Sequence, residues 1–318
     1  MTAPTVLVTG GSGFLGRHLA RDLKSDYRVV LGARNNKLNL EAAQRTGCEV
    51  LPIDVTSIDS VRDVFVEARP DIVIHAAATK FVDLAERHPM ECVDVNVTGS
   101  QNVLRVGLER GVESLVGVST DKAAPPVRNT YGLSKALMER LFCGMDGKTE
   151  TKVTCVRYGN VAWSTGSVLP IWERMHAETG VIGSTGPDMR RFFFGVDEAV
   201  ALIKTAMGNI DRVRGKVLGR EMKAALIRDL LDVWIRERGG RWEPIEGRPG
   251  ERDDEYLVGE LELAHTTTLT LDGVVHYLIS FNESVDEPLT REVSSANVDR
   301  LSDEEMVRLI SSAPRENH

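Results

Sequence analysis

The chain has little of what marks several common protein classes. Its 318 residues include four cysteines, Cys48, Cys92, Cys143 and Cys155, widely spaced and never arranged as Cys-x-x-Cys. A disulfide framework and a thiolate metal site are thereby excluded; reduced, buried thiols and no metal are expected. No apolar run approaches the ~20 residues that a membrane-crossing helix needs. The first strand pattern begins within five residues of Met1, leaving no room for a signal peptide, so the expected location is the cytoplasm with no membrane partner. There is no basic cluster and the formal net charge is −8, which argues against nucleic acid as a partner. Internal repeats and low-complexity segments are missing as well.

What is present begins at once. Thr5 to Thr9 reads as a strand, followed by Gly10-Gly11-Ser12-Gly13-Phe14-Leu15-Gly16 and a helix with Leu15, Leu19 and Leu23 on one face. A glycine-rich turn between strand and helix lets a backbone approach a pyrophosphate, which the helix N-terminus favours electrostatically. Gly10, Ser12, Gly13, Phe14, Leu15 and Gly16 are therefore candidate cofactor contacts; the alternative is a glycine-rich turn with no ligand. Tyr27 to Gly32, Val50 to Asp54, Asp71 to Ala78, Ser114 to Thr120 and Val153 to Val161 read as further short strands, separated by helices such as Ile58 to Ala68 and Asn96 to Arg110. This alternation predicts a doubly wound parallel sheet of Rossmann type with helices on both faces.

The end of the second strand reports on the cofactor. A carboxylate there would bind a ribose 2′-hydroxyl, but the chain has Ala33-Arg34-Asn35-Asn36-Lys37. NADP(H) is expected, with Arg34, Asn35 and Lys37 around the 2′-phosphate. Alternatively Arg34 and Lys37 are solvated loop charges and NAD(H) binds. Asp54 and Val55 are placed to meet the adenine, and the small residues Ala76, Ala77 and Ala78 let the cofactor lie on the sheet edge. His75 is expected to be a packed strand residue.

The most informative stretch is Thr120-Asp121-Lys122 followed by Tyr131-Gly-Leu-Ser-Lys135. Tyr131 and Lys135 are four apart and share a helix face. An ammonium beside a phenol favours the phenolate, making Tyr131 a base for a hydroxyl proton. Asp121 and Lys122 add an acid and an amine that alcohol oxidation does not need and an elimination of water does. Lys122 must be neutral for part of the time, and burial beside Lys135 and a cationic nicotinamide is expected to lower its pKa.

These residues resemble the extended short-chain dehydrogenase/reductase superfamily, and more narrowly its polysaccharide-biosynthesis branch, which contains the inverting UDP-N-acetylglucosamine 4,6-dehydratases. The match is carried by His75-Ala-Ala-Ala-Thr-Lys80, Asn96-Val-Thr-Gly-Ser-Gln-Asn-Val103, Ser119-Thr-Asp-Lys-Ala-Ala124, Val156-Arg-Tyr-Gly-Asn-Val161, Gly166-Ser-Val-Leu-Pro170, Asp188-Met-Arg-Arg-Phe192 and Arg248-Pro-Gly-Glu-Arg252. The resemblance implies that Thr120 and Tyr131 hold a sugar 4-hydroxyl, that Lys135 binds the nicotinamide ribose, and that Asp121 protonates the departing 6-hydroxyl. It implies Lys122 as the base for the C5 proton and Lys80 close to both cofactor and substrate. Asn160, Arg191, Arg248 and Glu251 would form the sugar-nucleotide site, the partner being a UDP-sugar. A homodimer or higher homo-oligomer is implied too. Departures lie in the substrate half: one extra residue between Asp121 and Tyr131, Thr165 where the branch has arginine, and Arg252 and Asp254 where it has lysine and histidine.

The expected organisation is an NADP-binding domain over 1–165, completed by about 192–220, with a smaller α/β substrate lobe over 166–318 interleaved with it. In that lobe Asp197 to Met207 and Leu226 to Arg238 read as helices, Gly215 to Gly219 as a strand and Leu301 to Ile310 as a terminal helix capped by Ser302. Trp234 and Trp242 are expected in the core. The expected function is 4,6-dehydration of a sugar nucleotide. Competing readings are an epimerase or reductase that uses Tyr131 and Lys135 but not Lys122, and a non-catalytic NADP-sensing protein.

Overall fold

The computed structural model describes residues 3–247 and 250–313. Thr5–Thr9 (β1), Arg28–Ala33 (β2), Glu49–Pro52 (β3), Ile72–His75 (β4), Ser114–Val118 (β5) and Lys152–Arg157 (β6) pair in parallel in the order β3-β2-β1-β4-β5-β6. Val217–Arg220 continues the sheet in parallel beyond β6. Apolar residues run consecutively in these strands, as at the fully buried Val6, Leu7 and Val8, because both sheet faces are covered. Phe14–Leu23 (α1) packs against the helix Val196–Gly208, and Ile58–Ala68 (α3), which follows Asn36–Thr46 (α2), packs against Gly99–Arg110. The winding reverses between β1 and β4, which opens a crevice at the C-terminal ends of the strands.

Beyond Val217–Arg220 the sheet ends in an antiparallel hairpin, Thr266–Leu271 with Val274–Ile279. Its turn, Asp272 (φ 51°) and Gly273 (φ 77°), has the two left-handed residues that a two-residue hairpin favours.

Several expected elements differ at their ends. The strand expected over Val153 to Val161 divides in two. β6 ends at Arg157, and Asn160–Val161 pairs instead with Arg190–Phe194 in a separate small sheet, so the chain changes layers at Tyr158 and Gly159. The helix expected from Asn96 starts earlier, at Pro89, and widens to a π turn over Asp94–Thr98 before continuing as Gly99–Arg110. There Asn96 turns inward, accepting from the Thr79 amide (2.8 Å) and donating to the Thr79 carbonyl (2.9 Å) and the Ser134 hydroxyl (2.9 Å). A widened turn at such a position is a common adaptation near functional sites.

A second core gathers around fully buried Trp234, with Trp172 edge-on at 5.9 Å and Trp163 at 6.1 Å. It is enclosed by Val168–Thr179, Ile227–Arg238 and Asp303–Ser311, the last capped by Ser302 and Glu305 reciprocally. Trp242 is not core as expected; it is half-buried and its indole donates to Asp232 (3.0 Å).

Two buried polar groups tie the layers together. Arg157 bonds Glu139 on the helix Thr130–Cys143 (2.6 Å) and Glu262 in the turn Glu260–His265 (2.8 Å), with its side chain fully buried. His75 is buried as expected, with its ring nitrogens 2.7 Å from the Thr9 hydroxyl and 2.9 Å from that of Ser100. Burial, helped by the Lys135 charge, pulls its imidazole from 6.5 down to about 3.

Two outcomes follow for stability. Arg157→Ala leaves two carboxylates buried without their cation and should cost ~3–5 kcal/mol by urea unfolding; a loss below ~1 kcal/mol would show the pair to be dispensable. For His75 the unfolded chain takes up a proton near 6.5 while the folded chain resists until about 3. Stability therefore falls as pH drops below 6.5. Urea midpoints measured across that range should decline more steeply for the natural protein than for His75→Gln, and equal slopes would contradict the assignment.

Candidate active site

After β5 the chain makes one tight helical turn, Asp121–Ala123, with the Thr120 side chain capping the Lys122 amide (3.4 Å). The helix Thr130–Cys143 starts beside it, capped by Asn129, whose side chain accepts from the Gly132 amide (2.7 Å). Gly132 lies against the Lys122 carbonyl so closely that a methyl group would overlap it. Glycine next to Tyr131 thus lets the helix dock on the turn. The helical repeat then turns Tyr131 and Lys135 to one face, and both line a cavity of about 700 Å³ together with Thr120 and Lys122. Asp121 lies immediately behind, with no exposed surface of its own.

Lys122 is the centre of the site's charges. Its Nζ is 3.1 Å from Asp121 Oδ1, 3.3 Å from Asn160 Oδ1 and 3.4 Å from Glu255 Oε1. Thr120 donates to the same Asp121 oxygen (2.9 Å), while Asp121 Oδ2 is buried with no hydrogen-bond partner. Burial pushes the Asp121 carboxyl up, against the pull of Lys122. For Lys122 the expected lowering is reversed. Burial does act to lower it, but Asp121 and Glu255 outweigh burial and the amine is pushed up. The Tyr131 phenol also departs from expectation: burial pushes it up to about 12, and the cation that opposes this most is Lys122. Lys135 is buried, drawn down to about 8 by that burial, with Nζ on Met138 Sδ (2.9 Å).

The cofactor half of the cavity is lined by Gly10, Ser12, Gly13, Phe14, Leu15 and Gly16, and by Ala76, Ala77, Ala78 and Lys80 across the crevice. Gly10 has φ +72° and no room for a side chain against Ala76 and Ala77. Gly13 stands at the N-terminus of α1, where no side chain caps the helix, leaving its amides to the cavity. A dinucleotide pyrophosphate fits such a cradle. The 2′-phosphate candidates do not line the cavity. Arg34 and Lys37 are exposed beside it, and Asn35 spends its side chain capping α2 through the Leu38 amide (3.0 Å). Asp54 is engaged with the Thr56 amide (3.0 Å) and hydroxyl (2.8 Å), and Val55 is core, packed on Gly99.

On the substrate side Asn160, Arg191 and Glu251 line the cavity, while Arg248 lies outside the described residues. Arg191 is buried, donating to the carbonyls of Arg190 (2.8 Å) and Asp253 (3.1 Å). Glu251 accepts from the Thr185 hydroxyl (3.1 Å). Sequence reasoning missed Glu255, which sits in the run Arg252-Asp-Asp-Glu255 that reads as a solvated loop. It also did not show that two departures meet. Arg252 donates to Glu255 (2.7 Å) and to the carbonyl of Pro126 (2.8 Å) in the lengthened segment before Tyr131. Another departure, Asp254, pairs with Arg190 at 2.7 Å.

Residues 6–275 match the family described as polysaccharide biosynthesis protein. An uncharacterized membrane protein of Methanocaldococcus jannaschii is 35% identical, over 81% of this chain and 81% of its own. Among the described residues, no helix is long and apolar enough to cross a membrane. An inverting UDP-N-acetylglucosamine 4,6-dehydratase of Campylobacter jejuni is 32% identical over 66% of this chain and 64% of its own length. A UDP-glucose 4-epimerase of Rickettsia akari is 30% identical over 96% and 95%. Among solved structures, Pen from Bacillus thuringiensis covers 98% of both chains with a TM-score of 0.89 at 27% identity. The UDP-glucose 4-epimerase of Thermus thermophilus, solved with NAD, covers 78% of this chain and 88% of its own with a TM-score of 0.69 at 24% identity. With the parallel sheet, the glycine cradle and the tyrosine–lysine helix in place, the chain belongs to the polysaccharide biosynthesis protein family, a branch of the extended short-chain dehydrogenases/reductases.

Proposed function

We propose that the protein is an NADP-dependent 4,6-dehydratase of UDP-N-acetylglucosamine. The observation that carries this reading is the position of Lys122: an amine on the wall of the cavity that also holds Tyr131 and Lys135, hydrogen-bonded to a buried carboxyl. Oxidation or epimerisation at C4 asks only for the tyrosine and its neighbours. A Campylobacter relative that carries out the dehydration supports the same reading.

Gly10 to Gly16 and Ala76 to Ala78 would hold the cofactor, with Lys135 at its ribose. Bound nicotinamide supplies the acceptor for a hydride from C4 and later its donor to C6. Tyr131 Oη takes the 4-hydroxyl proton as its phenolate, and Thr120 orients that hydroxyl. Burial disfavours the phenolate, Lys122 favours it, and the positive charge of an oxidised nicotinamide would favour it further. The C4 carbonyl acidifies the hydrogen on C5, which Lys122 Nζ removes. Asp121 supplies the proton with which the 6-hydroxyl leaves as water. Because its carboxyl has no surface on the cavity, that proton travels through its hydrogen bonds to Lys122 or Thr120. Positioned acid and base groups of this kind contribute ~10²–10⁴-fold each. The choice of NADP rests on Arg34 and Lys37 and the lack of a carboxylate after β2. The implied homodimer would cover Leu133 and Leu137, exposed on the outer side of the Tyr131 helix.

A UDP-sugar 4-epimerase is the second reading, favoured by the near full-length epimerase relative. Lys122→Ala separates the two. Dehydration should fall by at least ~10²-fold while cofactor affinity, measured by calorimetry, changes little; an unchanged rate of water loss would remove Lys122 from the reaction. Arg34→Ser should weaken NADP about tenfold and leave NAD unaffected. Equal effects on both, or on neither, would remove Arg34 as a reader of the 2′-phosphate.

A further inference from the structure

Glu255 belongs to the site's charge cluster yet has no part in the proton movements above. Its carboxylate is buried, with Oε1 3.4 Å from Lys122 Nζ and 4.0 Å from Arg191 Nε, and Oε2 2.7 Å from Arg252 Nε. Arg252 is buried too and is anchored at the Pro126 carbonyl (2.8 Å). The Glu255 backbone is pinned as well, its amide donating to Ser295 Oγ (3.0 Å) and its carbonyl accepting from the Ser295 amide (2.8 Å). The carboxylate is therefore held through Oε2 by Arg252, leaving Oε1 to face Lys122 and Arg191.

Lys122 Nζ meets three oxygens, one each from Asp121, Asn160 and Glu255. An ammonium suits all three, hydrogen-bonded to Asp121 and Asn160 and ion-paired with Glu255. A neutral amine has two donors and a lone pair, which a third oxygen would repel. We propose that Glu255, braced by Arg252, is a positioning residue for Lys122: its charge completes a tripod of oxygens, two of them hydrogen-bond acceptors, that fixes Nζ at the cavity wall and keeps its proton in place until Asp121 takes it. This rests on the reading of Lys122 as the C5 base.

The tripod also shows how that base arises. The proton can move from Lys122 Nζ to Asp121 Oδ1 along their 3.1 Å hydrogen bond. One N–H bond breaks and one O–H bond forms, leaving a neutral amine as base and a neutral carboxyl as acid, with no proton taken from solvent. Asp121 and Glu255 face Nζ as anions and Arg191 as a cation; Tyr131 is nearby as a neutral phenol. Of these, Glu255 raises the proton affinity of both donor and acceptor, with its direct ion pair to Nζ favouring the ammonium, and Arg191 weakens the hold of Lys122 on the proton. Asp121 is the acceptor.

The direct test reads Lys122 without turnover. In full-length protein carrying isotope-labelled lysine, the Lys122 Cε resonance, assigned with Lys122→Arg, is followed against pH. Glu255→Gln keeps the shape and removes the charge, so the midpoint should move at least about one pH unit down. Arg252→Gln removes the cation pulling on the same carboxylate, so the midpoint should move up; this opposite sign cannot come from general loosening. Glu255→Asp should restore the midpoint toward that of the natural protein. Because the proton moves within the Lys122–Asp121 pair, the pH-independent rate of C5 proton exchange should change in the same variants, with kcat affected more than KM. Unchanged midpoints in both Glu255→Gln and Arg252→Gln would overturn the proposal. Shifted midpoints in a protein that dehydrates no sugar nucleotide would uphold the tripod and remove the dehydratase reading, so the two failures are distinguishable.

Discussion

An ammonium held among three oxygens at the wall of a shared cavity is the constraint on which the site depends. Lys122 reaches that position because the turn after β5 is clamped between Gly132, at the start of the Tyr131 helix, and the segment carrying Glu255. Burying a cation in this way is tolerable only with close counter-charges, since an unpaired buried ion costs several kcal/mol. Asp121 and Glu255 meet that requirement, and the same pairing raises the proton affinity of the amine. The chemistry therefore starts from a charged lysine whose proton has a short path to Asp121.

The site is assembled from both cores. Thr120, Lys122, Tyr131 and Lys135 come from the sheet-based core; Glu255 leads into Tyr256–Val258, which packs on that same core from far along the chain, and Arg191 lies on Arg190–Phe194, whose aromatic residues enter both cores. The chain passes between them at Tyr158 and Gly159, and Gly159 has Phe192 and Asp121 on either side of its missing side chain. Arg157, one residue earlier, bonds the Tyr131 helix to the C-terminal turn through Glu139 and Glu262. Docking of the Tyr256–Val258 segment on the sheet-based core thus sets the distance from Lys122 to Glu255. Nothing in the local sequence around either residue determines that distance.

This explains what could be read from the sequence. The glycine turn, the helix Ile58–Ala68 and the Ser302 cap are local patterns, and the structure reproduces them. The pairing of Tyr131 with Lys135 is equally local, a consequence of helix geometry. The Asp272-Gly273 hairpin carries a legible turn signal between alternating residues, one that sequence reasoning missed. Glu255 carries none, because an acid in Arg-Asp-Asp-Glu reads as solvated until tertiary packing turns it inward. The raised proton affinity of Lys122 escapes sequence reasoning because burial alone points the other way, and the Glu255 charge that joins adjacent Asp121 in outweighing it comes from a segment distant in sequence.

The most direct test of the account is incubation of the protein with UDP-N-acetylglucosamine and NADP in heavy water, with the product followed by NMR and mass spectrometry. The account predicts loss of one water, one solvent deuterium at C5, and no net change in cofactor absorbance. An inverted C4 hydroxyl with the original hydrogen still on C5 would contradict it.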